Sequence, residues 1–464
     1  MSEQEITLDD FNEHEEGSAN NEIAPPTELA KIPIDWSSTR LDDVALDTEG
    51  AFVDGPFGSN LKANEMIEDG YARVVQLQNI RPSKFIDSNY KYINEEKFEE
   101  LKRHGAEPGD LAIAKMAEPV ARACLLPEIE DQYLVVADCI KLSVDESEHN
   151  SIFVLFALNS RPVWKQAFSR SRGSTRKRIN LTQLKQVQIP SPPLPEQRKI
   201  ATVLYTVDRA IEKTGELIEH TKRVQTGVEQ RLFREGYFDH PSIEDTRLVT
   251  IPEGWDFDQL SKHTLDSAFG PRFGSERYDD EGEISTLRTT DLNARGHISL
   301  ETMPVADLER DEIEDHLLKP DDFIITRSGT TGIGTVWRGY DKPTIPGAFL
   351  IRFRFEDTLS PEYMRYYVNS SIGRNRVNRR AKGGVQKNLA GSDLLNMRFP
   401  IPNKKEQRKI VEVLDTIEER INHERNYKSK LQRFKKGLMQ DLLSGTVRTA
   451  DTTIEVPDEI AQYG

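Results

Sequence analysis

Cysteine is nearly absent: Cys124 and Cys139 are the only two in 464 residues. They share no metal-ligand spacing, and two cysteines without a secretory leader argue for a reducing cytoplasm rather than a disulfide scaffold. The opening stretch MSEQEITLDDFNEHEEGSANNE lacks the basic start and apolar core of a signal peptide. We read residues 1–31 as an acidic, disordered tail. No run of about 18 apolar residues occurs, so no transmembrane helix is expected. Positive charge is also short: 62 Lys and Arg against 78 Asp and Glu give a formal net charge of −16. Taken alone, that balance argues against a nucleic-acid partner. Net charge, however, governs solubility and steering rather than what one face can bind. Much of the acid lies in the termini and in YDDEGE and DLERDEIED, which leaves basic segments elsewhere.

Signatures of catalysis are lacking too. SPPL at Ser191 does not match the Asn/Asp-Pro-Pro-aromatic motif of nucleotide methyltransferases, and no glycine-rich cofactor loop accompanies it. GTTGIGT at Gly329 has no Lys-Ser or Lys-Thr and cannot be a phosphate loop. GDLAIAK offers Asp110 and Lys115 to a metal nuclease, but Ala114 stands where a second carboxylate is needed. The second half has Arg327 in place of the lysine, so Asp110 and Asp322 read as turn residues. Nine histidines show no paired-ligand spacing. We assign no catalytic residue and no metal site to the chain.

What the chain does have is repetition. EQRKI occurs at Glu196–Ile200 and again at Glu406–Ile410, 210 positions later. Pro190, Pro192, Leu204 and Ile211 recur as Pro400, Pro402, Leu414 and Ile421 at the same offset. Upstream, Pro108-x-Asp110 matches Pro320-x-Asp322, and IPxxW at Ile32–Trp36 matches Ile251–Trp255, with small drifts in spacing. A period near half the chain is a duplicated domain, not a solenoid repeat of roughly 20–50 residues. Each half reads as mixed strands, a short helix-like element, a basic segment and a last strand ending in prolines.

After the prolines, apolar residues recur at alternating steps of four and three. The first series is Ile200, Leu204, Val207, Ile211, Thr214, Ile218, Thr221, Gln225, Val228 and Leu232. The second is Ile410, Leu414, Ile417, Ile421, Glu424, Lys428, Leu431, Lys435, Leu438 and Leu442. The spacing is that of a coiled-coil seam. A helix of this extent spans roughly 55–60 Å at about 1.5 Å per residue, too long for one domain to cover. The simplest partner for each is the other, paired antiparallel. Off the seam, Val203, Leu217 and Tyr427 are candidates for a docking face, although core packing is the commoner fate of such residues.

The fold expected is α+β: two duplicated domains of mixed β-structure with short helices, joined by two long antiparallel coiled-coil helices with pseudo-twofold symmetry. The segments are the tail 1–31, a first domain 32–195, a helix 196–235, a second domain 236–405, a helix 406–445 and a tail 446–464.

The basic segments lie at equivalent places. SRSRGSTRKRIN supplies Arg170, Arg172, Ser174, Thr175, Arg176, Lys177 and Arg178; GRNRVNRRAKGGVQKN supplies Arg374, Arg376, Arg379, Arg380, Lys382 and Lys387, and Arg327 of the upstream RSGTTGIG segment is a further candidate. Read as glycine-rich loops, they would bring backbone amides and guanidinium groups to phosphates or to guanine edges. A solvated basic loop is the bland alternative, and two in register favour DNA over it more than one would.

IPxxW before each half, RSGTTGIG, the basic Gly/Ser segment before an Ile-Pro-x-Pro strand, and EQRKI opening a long helix together resemble the specificity subunit of type I restriction–modification systems. The resemblance runs from about Ile32 to Gly445. It implies two target-recognition domains that read a split double-stranded DNA sequence, and a coiled coil that sets their spacing and docks two methyltransferase subunits. Restriction and translocase subunits would join them. The resemblance also implies no cofactor in this chain, with S-adenosylmethionine, ATP and Mg acting in the partners. It places the protein in the cytoplasm, away from membranes. A non-catalytic scaffold that binds proteins only is the alternative.

Overall fold

The computed structural model describes residues 32–464 apart from 117, 174–175, 247 and 382–387, so the N-terminal tail lies outside the described residues. The chain forms two compact units, one of Met1–Lys213 with Lys428–Gly464 and one of Thr214–Tyr427. Each unit therefore takes one of the duplicated β-containing domains, the first half of one long helix and the second half of the other. The repeat is circularly permuted relative to the expected segments.

In the first unit, Leu111–Ala114 is apolar and buried along its whole length, as a strand covered on both faces should be. It lies between Cys139–Leu142 and Ala123–Leu125, and Phe52–Asp54 completes an antiparallel sheet. A second sheet is built on Ala72–Val75, parallel to Tyr133–Val135. Two helices, Ser151–Leu158 and Arg161–Arg170, bury Phe153, Phe156, Val163 and Ala167 in one core with Ile113 and Ile140. The second unit repeats this order. Thr264–Phe269, Leu350–Phe355, Phe323–Thr326 and Gly334–Val336 form the first sheet, and Ile284–Leu287 runs parallel to Thr344–Pro346 in the other. Its helices are Pro361–Asn369 and Ser371–Arg380. A last pairing sets Ser37–Arg40 against Gln188–Ser191, and Asp256–Gln259 against Arg398–Ile401.

The single helix-like element expected in each half is in fact two helices. In the first unit Asn159 ends the first of them, its amide donating to the carbonyls of Leu155 and Ala123 at 2.9 Å. The second basic segment is also corrected: it is helical through Arg380 rather than a loop from Gly373.

The long helices span Leu194–Glu235 and Lys404–Leu443, each starting two residues before its expected position. Asn403 caps the second by accepting the Glu406 N–H at 3.1 Å. Gly236 and Gly445, at φ +81° and +72°, follow the C-terminal ends, where a left-handed residue is needed. Every seam position is buried or partly buried. Ile200, Leu204, Ile218, Leu232, Ile410, Leu414, Ile421 and Leu442 are buried, while Val207, Ile211, Val228, Ile417, Leu431 and Leu438 are partly so. In the first unit Ile200 and Leu204 share a core with Leu442 and Leu443, and Asp208 pairs with Lys435 at 2.6 Å. In the second, Leu232 and Phe233 meet Ile410 and Leu414. In each case the start of one helix lies against the end of the other, which is antiparallel pairing.

The repeated pentapeptide is a structural lock. Glu196 accepts the indole N–H of Trp36 at 3.1 Å, and Glu406 that of Trp255 at 3.0 Å. Each carboxylate also accepts backbone N–H groups from the segment after the partner helix: Thr449 at 3.1 Å for Glu196, Tyr237 at 2.8 Å for Glu406. Gln197 accepts the Asn150 N–H at 3.0 Å and donates to the Pro192 carbonyl at 2.9 Å; Gln407 does the same with Ser360 and Pro402 at 2.7 and 2.8 Å. Buried polar groups satisfied this fully tolerate little change.

The C-terminal segment is packed on the first unit. Ile460 is fully buried. The Asn150 amide donates to the carbonyls of Ile460 and Gly464 at 3.0 Å, and Arg198 Nε donates to Gly464 at 2.7 Å. In the second unit the corresponding residues, Ser360 and Arg408, line an open cleft of about 580 Å³.

Candidate nucleic-acid interface

Four loops converge at one edge of the main sheet in each unit, and the same backbone contacts fix them. In the first unit a Cβ at Gly55 would stand 2.1 Å from the Val136 carbonyl, so only glycine permits the approach. Lys115 N–H donates to Asp138, Ile179 N–H donates to Lys115, both at 2.9 Å, and Met116 bridges Arg178. In the second unit Gly270 meets the Pro346 carbonyl in the same way. Arg327 N–H donates to Phe349 at 2.9 Å, Leu389 N–H donates to Arg327 at 2.8 Å, and Ser328 bridges Asn388. Lys115 itself is buried against Asp54 at 2.8 Å. Asp110 and Asp322 accept the backbone N–H of Glu107 and Lys319 at 2.9 and 2.8 Å, as turn residues do.

The structure separates the predicted basic residues. Arg172 and Arg176 are exposed; Arg178 is exposed and paired with Asp138 at 2.9 Å. Lys177 lies over the Phe168 ring at 4.9 Å. Arg170 donates to the Gln166 carbonyl at 3.3 Å, and burial lowers its pKa. Ser174 and Thr175 lie outside the described residues.

In the second unit Arg379 and Arg380 are exposed, and Lys382 and Lys387 lie outside the described residues. Arg374 is partly buried, with its guanidinium on the Ala294 carbonyl at 2.5 Å. Arg376 donates to the Tyr367 hydroxyl and the Arg398 carbonyl, both at 2.6 Å, and packs 5.3 Å from the Phe257 ring. The duplication explains it: at the equivalent place Gln166 donates to the Gln188 carbonyl at 2.9 Å. Arg376 and Arg374 are thus brace residues rather than loop cations, a correction to their expected placement. Arg327 sits 4.5 Å above the Phe269 ring, with Nε 3.4 Å from the Asn388 side-chain oxygen.

Sequence reasoning missed four residues beside these loops: Phe57 and Phe349, 81% and 60% exposed, together with Asp138 and Asn388. None carries a periodic or charge signal; only comparison of the halves brings them out. Along the coil, Leu217 and Tyr427 are exposed as expected, joined by Val224 and Phe434. Val203 instead packs against the first unit's core. Among the described residues, no group of three or more His, Cys, Asp or Glu is placed to hold a metal ion, and no helix is long and apolar enough to cross a membrane.

The model of the type I restriction modification DNA specificity domain matches this chain twice, over residues 33–220 and 261–433. The type I restriction enzyme MjaVIII specificity subunit of Methanocaldococcus jannaschii is 23% identical over 90% of this chain and 94% of its own length. The EcoKI specificity subunit of Escherichia coli is 21% identical over 93% of both. Among solved structures, the fold is similar to a chain described under complex assembly and conformational transition of the type I R-M system (TM-score 0.56, 18% identity, covering 90% of this chain and 100% of that one). It is also similar to the type I restriction-modification S subunit of M. genitalium (TM-score 0.53, 15% identity, 91% and 99%). With two copies of the specificity domain, a permuted duplication and a paired set of long helices, the chain belongs to the family of type I restriction–modification specificity subunits.

Proposed function

We propose that each unit reads one part of a bipartite, asymmetric double-stranded DNA target, and that the chain leaves chemistry to other subunits. The observation that supports this most is the repeated four-loop edge, with an identical backbone frame and exposed arginines in both units. Arg172 and Arg176 in the first, and Arg379 and Arg380 in the second, would neutralise phosphates and fix the register on the duplex. Helices of 42 and 40 residues, roughly 60 Å long, would set the gap between half-sites, since one turn of DNA is about 34 Å.

The duplicated helix surfaces, with Leu217, Val224, Tyr427 and Phe434 exposed, support docking of two methyltransferase subunits through two similar faces. Restriction and translocase subunits would complete the complex in the cytoplasm. S-adenosylmethionine, ATP and Mg then belong to those partners. Sequencing of methylated sites in cells with and without this chain tests the reading. One interrupted sequence with two fixed half-sites is expected; a continuous site, or no change in methylation, would count against it.

A further inference from the structure

The shared frame allows the two readers to be compared position by position. Lys115 N–H to the Asp138 carbonyl and Arg327 N–H to the Phe349 carbonyl, both 2.9 Å, put Asp138 and Phe349 at one equivalent place. The bridges Met116–Arg178 and Ser328–Asn388 do the same for Arg178 and Asn388. The backbone is the same and the chemistry is opposite. The first unit presents an exposed guanidinium steadied by a carboxylate at 2.9 Å. The second presents an exposed carboxamide, with Arg327 Nε 3.4 Å from its oxygen, and an exposed phenyl ring on the residue whose carbonyl accepts the Arg327 N–H. Arg178, Asn388 and Phe349 are exposed at this edge, where packing on the core does not fix the residue type.

Resting on the reading of the chain as a DNA reader, we propose that these two positions together read one base pair in each half-site: a G·C pair by Arg178 with Asp138, and an A·T pair by Asn388 with Phe349. Guanine shows two acceptors, O6 and N7, in the major groove, and a guanidinium fork donates to both. Asp138 is a positioning residue that holds the fork. Adenine shows one acceptor and one donor, N7 and N6–H₂, which a carboxamide matches with its own donor and acceptor. The paired thymine places its methyl group in the same groove, where an apolar side chain is the fitting contact. An A·T pair therefore offers what Asn388 and Phe349 each need, and Arg327 orients the amide as Asp138 orients the guanidinium.

The test exchanges the pair within the complete complex assembled with its methyltransferase partner. Arg178→Asn with Asp138→Phe is compared with the wild type by selection of methylated sites from a randomised duplex library. One G·C position in one half-site should become A·T, with the other half-site as in the wild type. The reciprocal Asn388→Arg with Phe349→Asp should convert one A·T position in the other half. As a milder variant that keeps the charge, Arg178→Lys loses the bidentate fork, and its preference for guanine at that position should fall roughly tenfold or more. A wild type with two clear half-sites, neither altered by the exchanges or by Arg178→Lys, would overturn this proposal alone. A wild type that selects no sequence would overturn the DNA reading and this proposal with it.

Discussion

Where each recognition domain packs on the long helices, the first unit sets apolar side chains beside one ion pair, and the second sets a buried arginine and a tyrosine among several carboxylates. Leu155 and Phe156 of the first correspond to Arg365 and Tyr366 of the second, and all four are buried. Asp208 and Glu418 correspond as well. Burial pushes the Asp208 carboxyl up, and Lys435 only partly counters it. Burial pushes Glu418 the same way, but hydrogen bonds from His297 and Arg365 and the Arg365 charge overcome it and hold the pKa at about 2. Arg365 reaches Glu418 at 2.9 Å and Glu362 at 2.6 Å. The Trp–Glu and Gln–carbonyl locks are meanwhile identical. Duplicated units thus keep their backbone locks and let the packing chemistry around them drift.

The largest effect expected from this contrast is on Glu418→Gln, which leaves Arg365 buried without its strongest partner. Loss of about 3–5 kcal/mol is expected by chemical denaturation, whereas Asp208→Asn should cost about 1 kcal/mol or less, because burial already opposes that charge. Equal costs would break the comparison.

Acid should separate the units next. Glu418 has a depressed folded pKa, so its contribution is present above the ordinary carboxylate value and disappears as pH falls from about 4.3 toward about 2. The second unit should lose roughly 3 kcal/mol over that window. Asp208, raised rather than lowered, should cause no such loss in the first. Hydrogen exchange resolved by segment, measured at both ends of the window, reads each unit separately.

Removing Pro457–Gly464 should cost the first unit about 2 kcal/mol through Ile460 alone. Exchange protection in the second unit should not change. The smallest effect is expected for Arg376→Gln, which restores the residue type found at the equivalent place. A loss of about 1 kcal/mol is expected, with the salt dependence of DNA binding unchanged. Arg172→Ala with Arg176→Ala should lower that dependence by about two units of slope.

Much of this was legible in the sequence. The seam of both helices, the duplication and the turn roles of Asp110 and Asp322 followed from spacing and residue type, since apolar periodicity and Pro-x-Asp turns are local signals. The helix that carries Arg374 and Arg376 was not legible, because flanking glycine and a dense charge run read as loop; the helix is held by packing of Val377 in the second unit's core and by Arg376 on Tyr367. Glu196 and Gln197 could be seen to repeat, but their partners, Trp36 and Asn150, lie 160 and 47 residues away. Asp138 and Asn388 gave no signal, because their place at the loop edge is set by sheet register.

The central claim is that each unit reads its own half of one split target. Site selection by the assembled methyltransferase complex tests it most directly, with Arg172 and Arg176 neutralised in one variant and Arg379 and Arg380 in another. The account predicts that each variant weakens selection at one half-site, a different one in each case, and leaves the gap between them unchanged. Loss of both half-sites together in either variant, or of neither in both, would contradict it.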